Sequence, residues 1–358
     1  MILLCDYTIW SPVYIPEIMS LKALVVSFPL FWGFTTAFRL AAGPGSWLKG
    51  PSFIFSSFNF HISTEYHLID TYDASNWMAK FDVQNISDPT HGFVNYVNAE
   101  EAQQSGLIGT QNNQVYMGVD AKSQLNPNGT GRKSVRVQSK TAYNQALVIA
   151  DFAHVPGSAC GTWPAFWMVG PNWPTQGEID IYEGVHLNTY NQITLHTSPD
   201  FVPSVGPGGE TGSRLAGADC GADGGFAGCG VLSNSATSFG TAFNANGGGV
   251  YATLWTSSGI KIWYFAARDI PADIRSETPD PDSWGMPAAN FGGCNFNANF
   301  RDLNLLFDIT FCGDWAGNTW GSTSCAQINP SCTAYVASEP QSFYDTYWLV
   351  NSIKVYSV

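Results

Sequence analysis

Gly177-Glu178-Ile179-Asp180-Ile181-Tyr182-Glu183-Gly184 sets three carboxylates within six residues of an otherwise apolar, β-branched run. Such a run favours a β-strand, and a strand alternates its faces with period two. Glu178, Asp180 and Tyr182 then share one face, while Ile179, Ile181 and Glu183 share the other, which is core-like at its first two positions. Strict alternation would bury Glu183, and an unpaired buried carboxylate is costly. A single β-bulge after Asp180 inserts one extra residue, shifts the alternation and returns Glu183 to the face of Glu178 and Asp180. A bulged strand with three acids on one surface is therefore expected.

Two carboxylates on one strand face approach the roughly 5–5.5 Å separation that retaining glycosidases use for a nucleophile and an acid/base partner. The competing reading is a solvent-facing strand with its acids on the wet side. The flanks favour the first. Trp163-Pro164-Ala165-Phe166-Trp167 and Trp173-Pro174 lie just upstream, and aromatic faces are surfaces on which sugar rings stack. Downstream, Gln192, Thr194 and His196 share a face while Ile193 and Leu195 point the other way, so His196 looks into the same surface as the acids. A lone histidine also serves as a satisfied structural residue; alternation favours the site.

Glu178-Ile179-Asp180-Ile181-Tyr182-Glu183 resembles the bulged Glu-x-Asp-x-x-Glu signature of glycoside hydrolase family 16, in its fungal laminarinase-like endo-1,3(4)-β-glucanase form. Four further strings resemble that subgroup in order and spacing: Cys160 to Trp167, Gly170 to Pro174, Thr194-Leu195-His196-Thr197, and Cys312-Gly313-Asp314-Trp315-Ala316-Gly317. The resemblance runs from about Tyr66 to Val358. It implies an all-β fold, a concanavalin-like β-jelly-roll sandwich of two antiparallel sheets with a concave substrate cleft. It implies retaining endo-hydrolysis of β-1,3 and mixed β-1,3/1,4 glucans through a covalent glycosyl-enzyme, with Glu178 as nucleophile, Glu183 as acid/base and Asp180 assisting. It places Asn95 and Tyr96 near the glycone end of the cleft and Trp320 beside its opposite part. With Trp163, Trp167, Trp173 and His196, these form the expected substrate-binding set. Two rivals stay open: a transglycosylase that remodels cell-wall β-glucan, and a non-catalytic sugar-binding jelly roll, which would be expected to lose Glu178 or Glu183 while keeping its tryptophans.

Composition agrees with the class. The 358 residues include 36 Gly and 20 Pro, with 14% aromatic and only 12% charged residues, which suits many short strands joined by turns. A net charge of −13 excludes a phosphate-backbone partner, which needs a basic face. A neutral β-glucan makes no such demand. The Gly206 to Gly230 stretch is not a phosphate loop, because it lacks Walker spacing and no strand-to-helix switch follows it. With Cys220 and Cys229 it reads as a stapled rim of the cleft. Neither a metal nor a cofactor is expected, since no paired CxxC spacing occurs.

Seven of the eight cysteines lie beyond residue 150, in turn-like contexts that point to an oxidising compartment. Because seven is odd, one free thiol is expected. Residues 1–65 read as a leader. Within it, 19–37 carry a short basic start, an apolar Ala23 to Phe34 core and small residues for cleavage, the pattern of a secretory signal. The same segment also reads as a signal anchor, although it falls short of the ~20 apolar residues that span a bilayer. Residues 66–358 read as one catalytic domain, secreted, monomeric and without stable membrane association. Asn85-Ile86-Ser87 and Asn128-Gly129-Thr130 are glycosylation sequons that belong on surface loops. Gly247 to Trp255 and Ile260 to Phe265 read as adjacent antiparallel strands, with Trp255 and Trp263 equally readable as core or as sugar platforms.

Overall fold

The computed structural model describes residues 65–358. All but the last residue of the expected leader, including the signal at 19–37, lies outside the described residues. Two antiparallel sheets form a jelly-roll sandwich. The site-bearing sheet runs, neighbour to neighbour, Ser213–Arg214, Cys229–Leu232, Gln192–His196, Glu178–Glu183, Thr162–Val169, Leu303–Phe311, Arg136–Tyr143 and Phe81–Val83. The back sheet runs Ser204–Val205, Ala289–Gly292, Gly259–Ala266, Gly249–Thr256, Ala146–His154, Tyr347–Tyr356, Gln114–Gly118 and Ile108–Gln111, with Leu68–Tyr72 also paired to Tyr347–Tyr356. A short parallel pair, Val94–Tyr96 with Arg132–Ser134, lies apart from both. No described α-helix is longer than Cys332–Ser338, and none is long and apolar enough to cross a membrane.

The core is where the inward residues of the two sheets meet. From the site-bearing sheet come Phe166, Ile179, Tyr182, Phe307 and Ile309; from the back sheet come Phe152, Tyr251, Trp348 and Val350, all buried. Their rings cross the gap edge to face: Phe152 to Phe166 at 5.5 Å, Phe307 to Trp348 at 5.2 Å and Tyr182 to Trp348 at 5.1 Å. Such pairs add about 0.5–1.5 kcal/mol each beyond the area they bury. The rear face of the back sheet has its own small core, where Trp263 meets Trp284 at 5.3 Å. Trp255 and Trp263, 1% and 3% exposed, are thus core residues and not sugar platforms.

Disulfides tie the ends of the central strands. Cys160, ahead of Thr162–Val169, bonds Cys325, and Cys312, directly after Leu303–Phe311, bonds Cys332. Cys220–Cys229 closes the Gly-rich loop. Cys294 is disulfide-bonded as well, and no described cysteine is free, which corrects the expected free thiol. Asn85 and Asn128 are both exposed.

Candidate active site

The bulge falls in the strand Glu178–Glu183, between Asp180 and Tyr182. Against Thr162–Val169, Glu178 stands opposite Val169 and Asp180 opposite Trp167; the register then slips, so that Tyr182 meets Phe166 and Glu183 meets Ala165. Ile181 is the extra residue. Ile179, Ile181 and Tyr182 are all fully buried, while Glu178, Asp180 and Glu183 share the outer face. Gly177 starts this strand at φ 80°, where a Cβ would lie 2.5 Å from the Asn299 carbonyl oxygen, so only glycine fits there.

Three rows cross the outer face. His196, Glu178, Val169 and Asn304 form the first; Thr194, Asp180, Trp167 and Leu306 the second; Glu183, Ala165, Asp308 and Arg136 the third. Val169 and Ala165 lie four residues apart, so Glu178 and Glu183 start about 13 Å apart at their Cα atoms. Two long side chains reaching toward each other close much of that distance. Ala165, itself buried, stands between Trp163 and Trp167 along this strand and opposite Glu183.

The acids are poorly hydrated: the side chains of Glu178 and Asp180 are 16% and 3% exposed, and Glu183 is buried. His196 Nε2 stands 3.2 Å from Asp180 Oδ2 and 4.0 Å from Glu178 Oε1. Its Nδ1–H donates to the Gly225 carbonyl at 2.6 Å, which turns Nε2 toward the acids. Burial works against charge on His196, but the hydrogen bond to Asp180 and the charges of Glu178 and Asp180 outweigh it and bring the imidazole up to about 10. Burial, reinforced by Asp180, pushes Glu178 up to about 8, against the opposing charge of His196. Burial and Asp180 likewise raise Glu183 well above the usual carboxylate range, and the Trp163 indole N–H, 2.7 Å from Glu183 Oε1, opposes them. The His196 charge opposes the rise at both glutamates.

Glu178, Asp180 and His196 also bring three ligand-type atoms within 4.8 Å of one another.

Trp163 and Trp167 flank Ala165, both half-buried. Trp315 meets Trp163 edge to face at 5.7 Å, held in the Gly313–Gly317 turn beside the Cys312 disulfide. Trp167 Nε1–H donates to Asp308 Oδ2 at 3.3 Å, and the Arg136 guanidinium lies 4.8 Å above the Trp167 ring. Arg136 pairs with Asp308 Oδ2 at 2.6 Å and donates from Nε to Gln84 at 2.9 Å. Burial outweighs Arg136 and lifts Asp308 to about 6. Trp173 is 37% exposed and lies 4.9 Å from the ring of Phe226, which is 69% exposed in the disulfide-closed loop. Gly225 and Phe226 thus bring that loop to the edge of the acid face.

Two expected binding residues are placed elsewhere. Trp320 is 3% exposed, donates its indole N–H to the Asn329 carbonyl at 2.9 Å and packs on His186 and Tyr335. It is a core residue, and its place as a sugar platform is corrected. Tyr96 is buried, its hydroxyl bonded to Thr310, so it supports the floor from within; Asn95 beside it is half-buried. Sequence reasoning passed over Asp308, Arg136, Trp315 and Phe226. Asp308 carried a signal, since it is a charge at an outward position of a mainly apolar strand, whereas Arg136 opens a strand that is largely polar.

A family model described as the XgeA-like catalytic GH16 domain matches residues 81–356. The chain is 46% identical over 301 residues to a probable endo-1,3(4)-β-glucanase of Aspergillus fumigatus, covering 82% of this chain and 46% of that one. It spans about half the length of the fungal relatives it matches in this way. Among solved structures it is similar to an elongating GH family 16 β-1,3-glucosyltransferase, with a TM-score of 0.76, 42% identity, and coverage of 82% of this chain and 100% of that one. It is also similar to laminarinase 16A of Phanerochaete chrysosporium, bound to 6-O-glucosyl-laminaritriose in donor and acceptor sites, with a TM-score of 0.74, 37% identity and coverage of 82% and 100%.

Proposed function

We propose, for a chain that belongs to the XgeA-like group of glycoside hydrolase family 16, retaining endo-hydrolysis of β-1,3 and mixed β-1,3/1,4 glucans by a catalytic domain at residues 66–358. The observation that carries this reading is the bulge: it brings Glu178, Asp180 and Glu183 onto one face, beside His196. Glu178, beside the His196 cation, attacks the anomeric carbon. The glycosidic bond breaks, and its oxygen takes the proton of Glu183. The glycosyl ester on Glu178 is then opened by water, whose proton passes to Glu183, releasing Glu178 as a carboxylate with configuration retained. Asp180 holds His196 in place, and its charge keeps Glu183 protonated until the bond breaks. The half-buried rings of Trp163 and Trp167, beside Glu183, offer faces for a pyranose to stack on. The disulfides support an extracellular setting for the enzyme, which we take to be a secreted monomer with residues 19–37 as its secretory signal.

Transfer to a second sugar in place of water is the second reading, favoured by the similarity to an elongating glucosyltransferase. Glu178→Gln and Glu183→Gln are each expected to abolish turnover of laminarin, lichenan and barley β-glucan while the fold persists. With azide, Glu178→Ala yields an inverted glycosyl azide and Glu183→Ala a retained one. Wild-type turnover in either glutamine variant refutes the reading, and swapped azide stereochemistry reverses the two roles. Chain-length analysis of products separates hydrolysis from transfer.

A further inference from the structure

A bulge re-aims side chains, but it also disrupts the ladder that satisfies the backbone. In the strand Glu178–Glu183, pairing with Gln192–His196 covers Glu178, Ile179 and Asp180 and then stops. On that side the Ile181 carbonyl and the Glu183 N–H need other partners, because both residues are buried. One side chain serves both. Asn191 Nδ2–H donates to the Ile181 carbonyl at 2.8 Å, and its Oδ1 accepts the Glu183 N–H at 2.8 Å. The amide orientation follows from the partners, since a carbonyl only accepts and an N–H only donates.

Asn191 is itself fully buried and held from behind. Its N–H donates to Ser238 Oγ at 3.0 Å, and its carbonyl accepts the Ser233 N–H at 2.9 Å. Ser238 in turn donates to the Ser235 carbonyl at 2.7 Å. The amide acts as a substitute rung, closing the gap the bulge opens and fixing the backbone that carries Glu183. We infer that Asn191 is a positioning residue for proton transfer by Glu183. The inference rests on the proposed acid/base role of that glutamate. The structure offers Glu183 no second backbone tether on this side. A shift of its Cα of about 1 Å, enough to cost on the order of 100-fold in rate, is opposed by this amide.

A purely structural role and a positioning role differ in their dependence on the leaving group. A sugar hydroxyl is a poor leaving group as its alkoxide, so natural glucans need the proton of Glu183 to leave as an alcohol, whereas a dinitrophenyl β-oligoglucoside leaves as the phenolate without it. Asn191→Ala is expected to lower kcat/KM on laminarin by about 10- to 100-fold and on the dinitrophenyl substrate only a few-fold, with KM on laminarin within twofold. Asn191→Asp keeps the acceptor for the Glu183 N–H and loses the donor to Ile181, so an intermediate, equally leaving-group-dependent loss is expected. Glu183→Gln sets the scale for complete loss of the acid. Measurements are made below the melting temperature of each variant. If Asn191→Ala does not fold, Asn191→Asp and Ser238→Ala carry the same comparison. Equal losses on both substrates, or no loss on laminarin, overturn the positioning role. Wild-type laminarin turnover by Glu183→Gln overturns the acid/base reading and the inference with it.

Discussion

Trp163→Phe isolates one hydrogen bond on the proposed acid. The indole N–H donates to Glu183 Oε1 at 2.7 Å, while the same ring meets Trp315 edge to face. Phenylalanine keeps an aromatic face there and removes the donor. A hydrogen bond to a charged group contributes about 1.5–3 kcal/mol, and one to a neutral group about 0.5–1.5 kcal/mol. The indole therefore favours ionised over protonated Glu183 by roughly 1–1.5 kcal/mol, or about one unit at 1.36 kcal/mol per unit. Losing it leaves burial and Asp180 less opposed, so Glu183 holds its proton to higher pH. The assay is kcat/KM on a soluble β-1,3-glucan across pH. Its basic limb, where the free enzyme loses the acid's proton, is expected to move up by about one unit, with the acid limb unmoved. A lost stacking contact instead scales kcat/KM equally at every pH and leaves the limbs in place. A basic limb that stays put, or moves down, refutes the assignment of that proton to Glu183.

Stability carries the same electrostatics. Glu178, raised to about 8, Glu183, raised well above its ordinary value, and His196, raised to about 10, all bind protons more tightly folded than unfolded. Stability contributed by their protonated forms is full at low pH and is lost as pH rises, from 4.5 through about 8 for Glu178 and from 6.5 through about 10 for His196. Each contributes at most about 1.4 kcal/mol per pH unit. The melting temperature is expected to fall between pH 5 and 9, with a shallower fall in Glu178→Gln and Glu183→Gln; a rise over that range contradicts the account. At the aromatic positions, Trp173→Ala is expected to lower kcat/KM by up to about tenfold, more on long β-1,3-glucans than on short ones, at unchanged melting temperature. Trp320→Ala removes a buried ring at about 3–5 kcal/mol, so its melting temperature drops by roughly 10 °C with no dependence on chain length. The reverse pattern would exchange their roles.

What was legible in the chain follows from which residues pay to be where they are. Glu183 in an isoleucine strand is tolerable only on the outer face, so its parity already required a bulge, and the register slip after Asp180 is where that argument put it. Tryptophan has no such preference. Trp173 is half in solvent and Trp320 is enclosed, yet both sit in Gly- and Pro-punctuated aromatic stretches that read alike, because an indole with one N–H partner is at home in a core or on a rim. Density of aromatics located the neighbourhood and could not sort its two sides. Asp308 and Arg136 stand between these cases. Asp308's outward parity in a mainly apolar strand marked it as a charge facing something, but its pairing with Arg136 needed the register between strands separated by some 170 residues. Asn191 lies furthest from the sequence. Its importance comes from two backbone groups left open by a bulge in another strand, and no property of an asparagine between Tyr190 and Gln192 announces that. Groups that are costly to bury can be placed by alternation alone, whereas a side chain that repairs a neighbour's backbone becomes visible only once that backbone has been traced.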